Sequence, residues 1–391
     1  MKIGIYGGTF DPPHIGHINA AISGKKQVGA EKLLLIPAGL PPHKELARCS
    51  AGSEDRFEMT RLAAEYIDGA QVSRMEILRG GKSYTVNTLA ELKDIYPEDE
   101  LVLFIGTDML LTFDQWYRFE DIFKLCTIAV FARNDHDRAR IKEKSLYFGR
   151  EFGAKIEIID NSAIDISSTE LRDRLAVREG AEYLPDEIYE YIISKHLYNA
   201  KPSFDWLRIK AYGMLKDNRM RHVAGCEYEA VRLAERWGAD ADEAREAAIL
   251  HDITKKLSLD AQLILCDKYD IITDNAERAD AKLLHSKTGA EIARDMFGVS
   301  ESVYSAIYWH TTGRENMTLA EKIMYLADYI EPTRDFDGLS RLRNLAYADI
   351  DSAMLLGLEM SLEDLRQRGI VPHEKTQQAI DWLRKEKGIK I

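Results

Sequence analysis

The sequence predicts a doubly wound parallel α/β sheet followed by an all-α half. Three observations carry this. Through the first half, short apolar runs alternate with helical stretches, and several runs are apolar throughout, as strands covered on both faces must be. The stretch Asn199-Ala200-Lys201-Pro202-Ser203 then breaks the pattern as a linker. Beyond it the strand signal fades, and apolar residues recur at helical spacing, as at Ala230, Leu233, Ala234 and Trp237. At 391 residues two domains are the natural division, 1–199 and 203–391.

Composition narrows the function. A net charge of −12 with no basic tract argues against a nucleic-acid or membrane surface as partner. Cys49, Cys126, Cys226 and Cys266 are scattered without a CxxC pair, which suits reduced thiols in a cytoplasm and neither a disulfide framework nor a zinc knuckle. No 18-residue apolar run exists to span a membrane, and the N-terminus reads as a strand rather than a signal segment.

The first strand, Lys2–Tyr6, runs into Gly7-Gly8-Thr9-Phe10-Asp11-Pro12-Pro13-His14-Ile15-Gly16-His17, with a helix expected to begin near Gly16. A strand, a glycine turn and a helix N-terminus make an anion site, because free N–H groups and the positive end of the helix dipole point the same way. The pattern is neither GxxxxGK[ST] nor GxGxxG. Two histidines stand in for the missing lysine and third glycine, and an imidazolium neutralises charge developing on phosphate oxygens. The next strand is Lys32–Pro37, followed by Pro41-Pro42-His43-Lys44, a stiff loop presenting Lys44. Gln71–Leu78 reads as a third strand, and Val86, Leu89, Leu92 and Tyr96 as a helix for which Thr85 suits an N-cap. Leu101–Ile105 ends in Gly106 and Asp108, suited to sugar hydroxyls, and Trp116 beyond it offers a flat aromatic face. Thr127–Ala132 and Lys155–Ile159 complete the strands. Ser167 and Glu170 have capping-box spacing, and Ser167, Ser168, Thr169 and Arg172 form a second set of phosphate-binding groups at a helix start. In such a sheet ligands gather at the carboxyl ends of the strands, where these motifs fall.

GGTFDPPHIGH and ISSTELR, in that order and about 150 residues apart, resemble the paired motifs of the HxGH nucleotidylyltransferases. PPHK and GTDMLLTFDQWYRFEDI are similar to the nicotinate mononucleotide adenylyltransferases within that group. The resemblance implies a Rossmann-like domain that binds ATP with Mg²⁺ and nicotinate mononucleotide. It implies His17, His14, Lys44 and Arg172 as catalytic groups. Gly7, Gly8, Thr9, Phe10, Thr85, Gly106, Asp108, Trp116, Tyr117, Arg133, Ser167, Ser168 and Thr169 are the implied substrate contacts. Trp116 would stack on the pyridine ring, and backbone amides near Tyr117 would receive its carboxylate. One departure stands out: after Ala132 the family continues Arg-Arg-Pro-Gly, whereas this chain has Arg133-Asn134-Asp135-His136.

The second half holds His222, the adjacent His251-Asp252, His285, His310 and Asp328, most of them in apolar surroundings. Burying such a set without charge compensation is costly, and a bound cation compensates all of them at once. Imidazole plus carboxylate suits iron, manganese or zinc. The series, with LLHSKTGA, HTTG and ADYIEP, resembles the HD-superfamily phosphohydrolases, most nearly the bacterial enzymes that cleave diadenosine tetraphosphate into two ADP. That resemblance implies two divalent metals, iron foremost. One is held by His222, His251, Asp252 and Asp328; Asp252 bridges to a second held by His285 and His310. Asp252 is also assigned to the catalytic groups, Lys255 to a substrate phosphate, and Thr311 and Arg334 to softer contacts. The expected molecule is a cytoplasmic bifunctional enzyme, with homodimerisation left open. The competing readings are another phosphate acceptor in the first half, and a nucleotidase or a non-catalytic nucleotide-binding module in the second.

Overall fold

The computed structural model describes residues 1–41, 47, 49–132, 135–161, 164 and 166–388. The chain divides into two compact units, Met1–Lys201 and Pro202–Ile391.

The first unit is a six-stranded, wholly parallel sheet with flanking helices. Its strands are β1 (Lys2–Gly8), β2 (Lys32–Pro37), β3 (Ala70–Val72), β4 (Glu100–Gly106), β5 (Thr127–Ala132) and β6 (Ile156–Asp160). The order is β3-β2-β1-β4-β5-β6. The central strands are buried on both faces, which is why they read as unbroken apolar runs: β5 is buried at every residue and β4 from Leu101 to Ile105. The helix Ile15–Val28 lies close on the sheet through Gly24, where a Cβ would come within 2.9 Å of the Phe104 ring. Because β1 pairs with both β2 and β4, the chain winds away from it in two directions, and a crevice opens at the carboxyl ends of β1 and β4.

The stretch Gln71–Leu78 differs from the strand expected there. Only Ala70–Val72 pairs, and Met75–Arg79 is a helix whose first amide, that of Met75, donates to Ser73 Oγ at 3.3 Å. Leu78 faces solvent, so its apolar character marked no buried strand.

The second unit is helical, with no strand among its described residues. Most of its helices start where polar caps accept the first free amides: Ser203, Asp240, Ser258, Asp280, Ser300, Thr318 and Asp349 each do so. Helices Asp217–Trp237, Ala241–Leu250, Ala281–Phe297, Glu301–Trp309 and Leu319–Ile330 share one core in which Leu233, Leu250, Ile307 and Leu326 are fully buried. Among the described residues no helix is long and apolar enough to cross a membrane.

Candidate active sites

In the first unit the helix Ile15–Val28 begins with a reciprocal histidine cap. His14 sits just outside the helix as its N-cap, and its Nδ1 accepts from the Gly16 amide at 3.2 Å; His17 Nδ1 accepts from the His14 amide at 3.2 Å. Two helix-end donors are thereby satisfied. Gly16 is required between them, since a Cβ there would lie 2.9 Å from His14 Nδ1. With both Nδ1 atoms accepting, the neutral rings carry their protons on Nε2, which makes each an N–H donor. Burial lowers the His14 pKa to about 4, and burial together with the neighbouring His14 holds His17 well below its usual value. The expected imidazolium is therefore corrected to a pair of neutral donors, because burial at the helix N-terminus disfavours the charged form of both rings.

Phe10 also departs from expectation. Its backbone is left-handed, at φ 49°, and its ring is buried beneath Gly8, edge-on to Tyr6 at 5.6 Å and to His17 at 5.3 Å. It is a packing residue that shapes the turn. Arg172, expected on a phosphate, is likewise buried: Nη1 donates to the Asp11 carbonyl at 2.7 Å and lies 3.4 Å from its carboxylate, while Nη2 reaches Thr169 Oγ1 at 3.3 Å. Asp11 Oδ1 accepts from the Ala51 amide at 3.0 Å and from Tyr198 Oη at 2.9 Å. Ser168 Oγ donates to the Pro12 carbonyl at 3.0 Å, and Ser167 caps its helix by accepting from the Glu170 amide at 3.1 Å. Glu170 pairs with Arg174 rather than closing a capping box. The two sequence-distant motifs are thus one bonded structure. Arg56, which sequence patterns did not single out, completes it from full burial, donating to the carbonyls of Thr9, Ala38 and Gly39 at 2.9, 2.6 and 3.0 Å.

Beside this junction lies a cavity of about 230 Å³, lined in part by Gly7, Gly8, Thr9, Thr85, Trp116 and Tyr117. One face of Trp116 is stacked on Phe113 at 4.7 Å and 26°. Tyr117 is half exposed, its ring against Tyr84 at 4.7 Å. Tyr84, not Thr85, is the N-cap of Thr85–Ile95, so Thr85 opens the helix at the cavity wall. Glu76 also lines the cavity and was missed from sequence; buried, it accepts from Thr88 Oγ1 at 2.6 Å, and burial raises its pKa. Gly106 caps the short helix Thr107–Leu111 at the end of β4, with Asp108 exposed in its first turn. Lys44 and Arg133 lie outside the described residues.

In the second unit the six expected ligand residues meet around Asp252. His251 and Asp252 follow the last turn of Ala241–Leu250, while His222, His285 and Asp328 project from Asp217–Trp237, Ala281–Phe297 and Leu319–Ile330; His310 closes Glu301–Trp309. Each imidazole has Nδ1 at an oxygen: Ala248 O at 2.7 Å from His251, Lys282 O at 2.6 Å from His285, Ile307 O at 2.6 Å from His310, and Glu331 Oε1 at 3.0 Å from His222. Protonated Nδ1 leaves four Nε2 lone pairs directed inward, the arrangement that oxygens behind a metal-ligating histidine impose on its ring. They divide between the two oxygens of Asp252. Oδ2 lies 3.4 Å from His251 Nε2 and 3.8 Å from His222 Nε2; Oδ1 lies 3.2 Å from His285 Nε2 and 4.0 Å from His310 Nε2. Asp328 Oδ1 is 3.0 Å from His222 Nε2. His251 is fully buried, yet its Nε2 has no hydrogen-bond partner. An orphaned buried lone pair among carboxylates is what a bound cation satisfies, so these residues fit a divalent metal pair.

Side-chain cations ring the carboxylates. Lys255 Nζ is 3.0 Å from Asp252 Oδ1, Arg219 Nη2 contacts Asp252 Oδ2, and Arg334 Nη2 is 2.7 Å from Asp328 Oδ1. Burial alone would push both aspartates up, but both are held well below the usual carboxylate range, with the Lys255 ammonium acting on each. Glu331 and Arg219 were not anticipated as site residues; the first lies 109 positions from the His222 it orients. Thr311 Oγ1 is buried without a hydrogen-bond partner.

Comparison with known proteins follows the same division. Residues 5–174 match the cytidylyltransferase-like family, and residues 219–333 match the HD domain family. A probable nicotinate-nucleotide adenylyltransferase of Carboxydothermus hydrogenoformans is 37% identical over 200 residues, which is 50% of this chain and 98% of that protein. One from Listeria monocytogenes is 34% identical over 200 residues, 51% of this chain and 98% of that protein. A Clostridium acetobutylicum crystal structure, described as a predicted HD superfamily hydrolase involved in NAD metabolism, is 34% identical at a TM-score of 0.47, covering 48% of this chain and 100% of that one. The chain belongs, through its N-terminal half, to the nicotinate-nucleotide adenylyltransferase family, and carries an HD domain after it.

Proposed function

We propose that the chain is a bifunctional enzyme, with a transferase domain at 1–199 and a hydrolase domain at 203–391. The first domain joins nicotinate mononucleotide to the AMP part of ATP, giving nicotinate adenine dinucleotide and pyrophosphate. The observation that supports this best is the histidine-capped helix N-terminus, bonded through Asp11, Pro12, Ser168 and Arg172 to the second motif and set beside the cavity of Trp116. ATP arrives with Mg²⁺, which shields its triphosphate charge. Attack is direct: the mononucleotide phosphate oxygen forms a bond to the α-phosphorus as the bond to pyrophosphate breaks. His14 and His17 offer Nε2–H groups to the reacting phosphate, so catalysis is mainly positioning and electrostatic stabilisation. Trp116, in the cavity lining, is assigned to the pyridine ring on the family resemblance. Lys44 and Arg133 are assigned to phosphate and substrate contacts on the family resemblance. Competition between nicotinate and nicotinamide mononucleotides at equal ATP tests the acceptor: preference for nicotinate is expected, and equal use overturns it.

The second domain cleaves diadenosine tetraphosphate symmetrically into two ADP. The four inward Nε2 lone pairs support a two-metal site: His222, His251, Asp252 and Asp328 would hold one ion, and His285 and His310 the other, with Asp252 available to both. Iron is favoured, with manganese or zinc next. When bound, such a pair activates water and stabilises an in-line displacement at phosphorus. Lys255 and Arg334 meet phosphate oxygens. His251→Ala removes a ligand and is expected to abolish both metal retention and ADP formation; ADP formed at the wild-type rate by metal-free His251→Ala overturns the site.

A further inference from the structure

We propose that Arg219 is a metal-gated phosphate ligand of the HD site, closed on Asp252 without metal and turned to a substrate phosphate once metal takes that carboxylate. The inference rests on the two-metal reading above. Asp252 Oδ2, the oxygen nearer the Nε2 atoms of His251 and His222, is the one Arg219 Nη2 contacts. On the other side, Oδ1 faces His285 and His310 and carries Lys255. Each side of the carboxylate therefore holds two imidazole lone pairs and one side-chain cation. Arg219 supplies on the Oδ2 side the positive charge that an ion held by His222, His251 and Asp252 brings.

The present position of Arg219 is incomplete. Its Nε is buried without a hydrogen-bond partner, although the side chain as a whole remains 24% exposed. It stands in the first turn of the helix that carries His222 three residues on, so it stays at the site when it leaves the carboxylate. A planar guanidinium then offers paired N–H donors, which match phosphate oxygens. With Lys255 on the opposite side of Asp252 and Arg334 on Asp328, the released cations suit a ligand with more than one phosphate rather than a monoester.

The test uses the full chain, wild type and Arg219→Met, depleted of metal or loaded with Mn²⁺, with methylenediphosphonate as a non-hydrolysable probe in titration calorimetry. Anion binding at the transferase site is common to both proteins and cancels in the comparison. Arg219→Met is expected to bind Mn²⁺ several-fold more tightly, because a competing cation is gone. It is also expected to bind the probe at least about tenfold more weakly in the loaded protein, the scale of one lost charge-assisted hydrogen bond. A merely structural arginine would weaken both. Weaker Mn²⁺ binding in the variant, or unchanged probe affinity, overturns the role of Arg219 alone. Failure of the wild type to retain Mn²⁺ beyond His251→Ala overturns the two-metal reading and this inference with it.

Discussion

His17 is the residue on which the transferase reading turns. In that reading it is a neutral Nε2–H donor placed where charge develops, so His17→Ala should lower turnover by about 10²-fold or more while ATP affinity changes far less. Turnover and equilibrium ATP binding measured together check this, and equal loss in both would remove the role. His14 carries a pH consequence. Its folded pKa of about 4 lies below the unfolded value near 6.5, so between these the unfolded chain binds more protons. Its contribution to stability is complete above about 6.5 and is lost as pH falls toward 4. His14→Gln should flatten the pH dependence of the melting temperature in that window; an unchanged slope would contradict it. At this scale the groups proposed to carry chemistry could be picked out in the sequence, whereas the residues that hold them could not. Asp11, Arg56, Tyr198 and Glu331 act through partners far along the chain, and no local spacing signals a bond between Asp11 and Tyr198 across 187 positions.

Among elements, strands buried on both faces were legible because burial demands an apolar residue at every position; β5 was read to its exact ends, Thr127–Ala132. The Gln71–Leu78 stretch was not, because a local bond from the Met75 amide to the Ser73 hydroxyl and an exposed leucine decide it rather than periodicity. The helix expected near Gly16 begins at Ile15 and was nearly legible, but the role of His14 as its cap was not: histidine is an uncommon cap, and only the fold shows its Nδ1 accepting from the chain. Close helix contact in the second unit yields a prediction. A Cβ on Gly225 would lie 2.5 Å from Glu331 Oε2. Gly225→Ala should therefore push Glu331 off His222 and weaken metal affinity about 10–100-fold, as loss of the group that orients a ligating imidazole does. Metal titration of the variant checks this, and wild-type affinity would show that Glu331 does not orient His222.

The whole molecule is two compact units, each with its own buried core. The break at Asn199–Ser203 was legible because proline and small polar residues interrupt both kinds of periodicity. Separate cores and separate ligand sets imply separable chemistry. His17→Ala should remove dinucleotide synthesis and leave polyphosphate cleavage within about twofold of wild type; His251→Ala should do the reverse. Loss of both activities in either variant would mean that the sites depend on one another. The central claim is tested most directly by incubating the metal-loaded full chain with diadenosine tetraphosphate and resolving the products by chromatography. Two ADP per substrate, lost in His251→Ala, is the predicted result. AMP plus ATP, or no turnover by protein that demonstrably holds its metals, would contradict it.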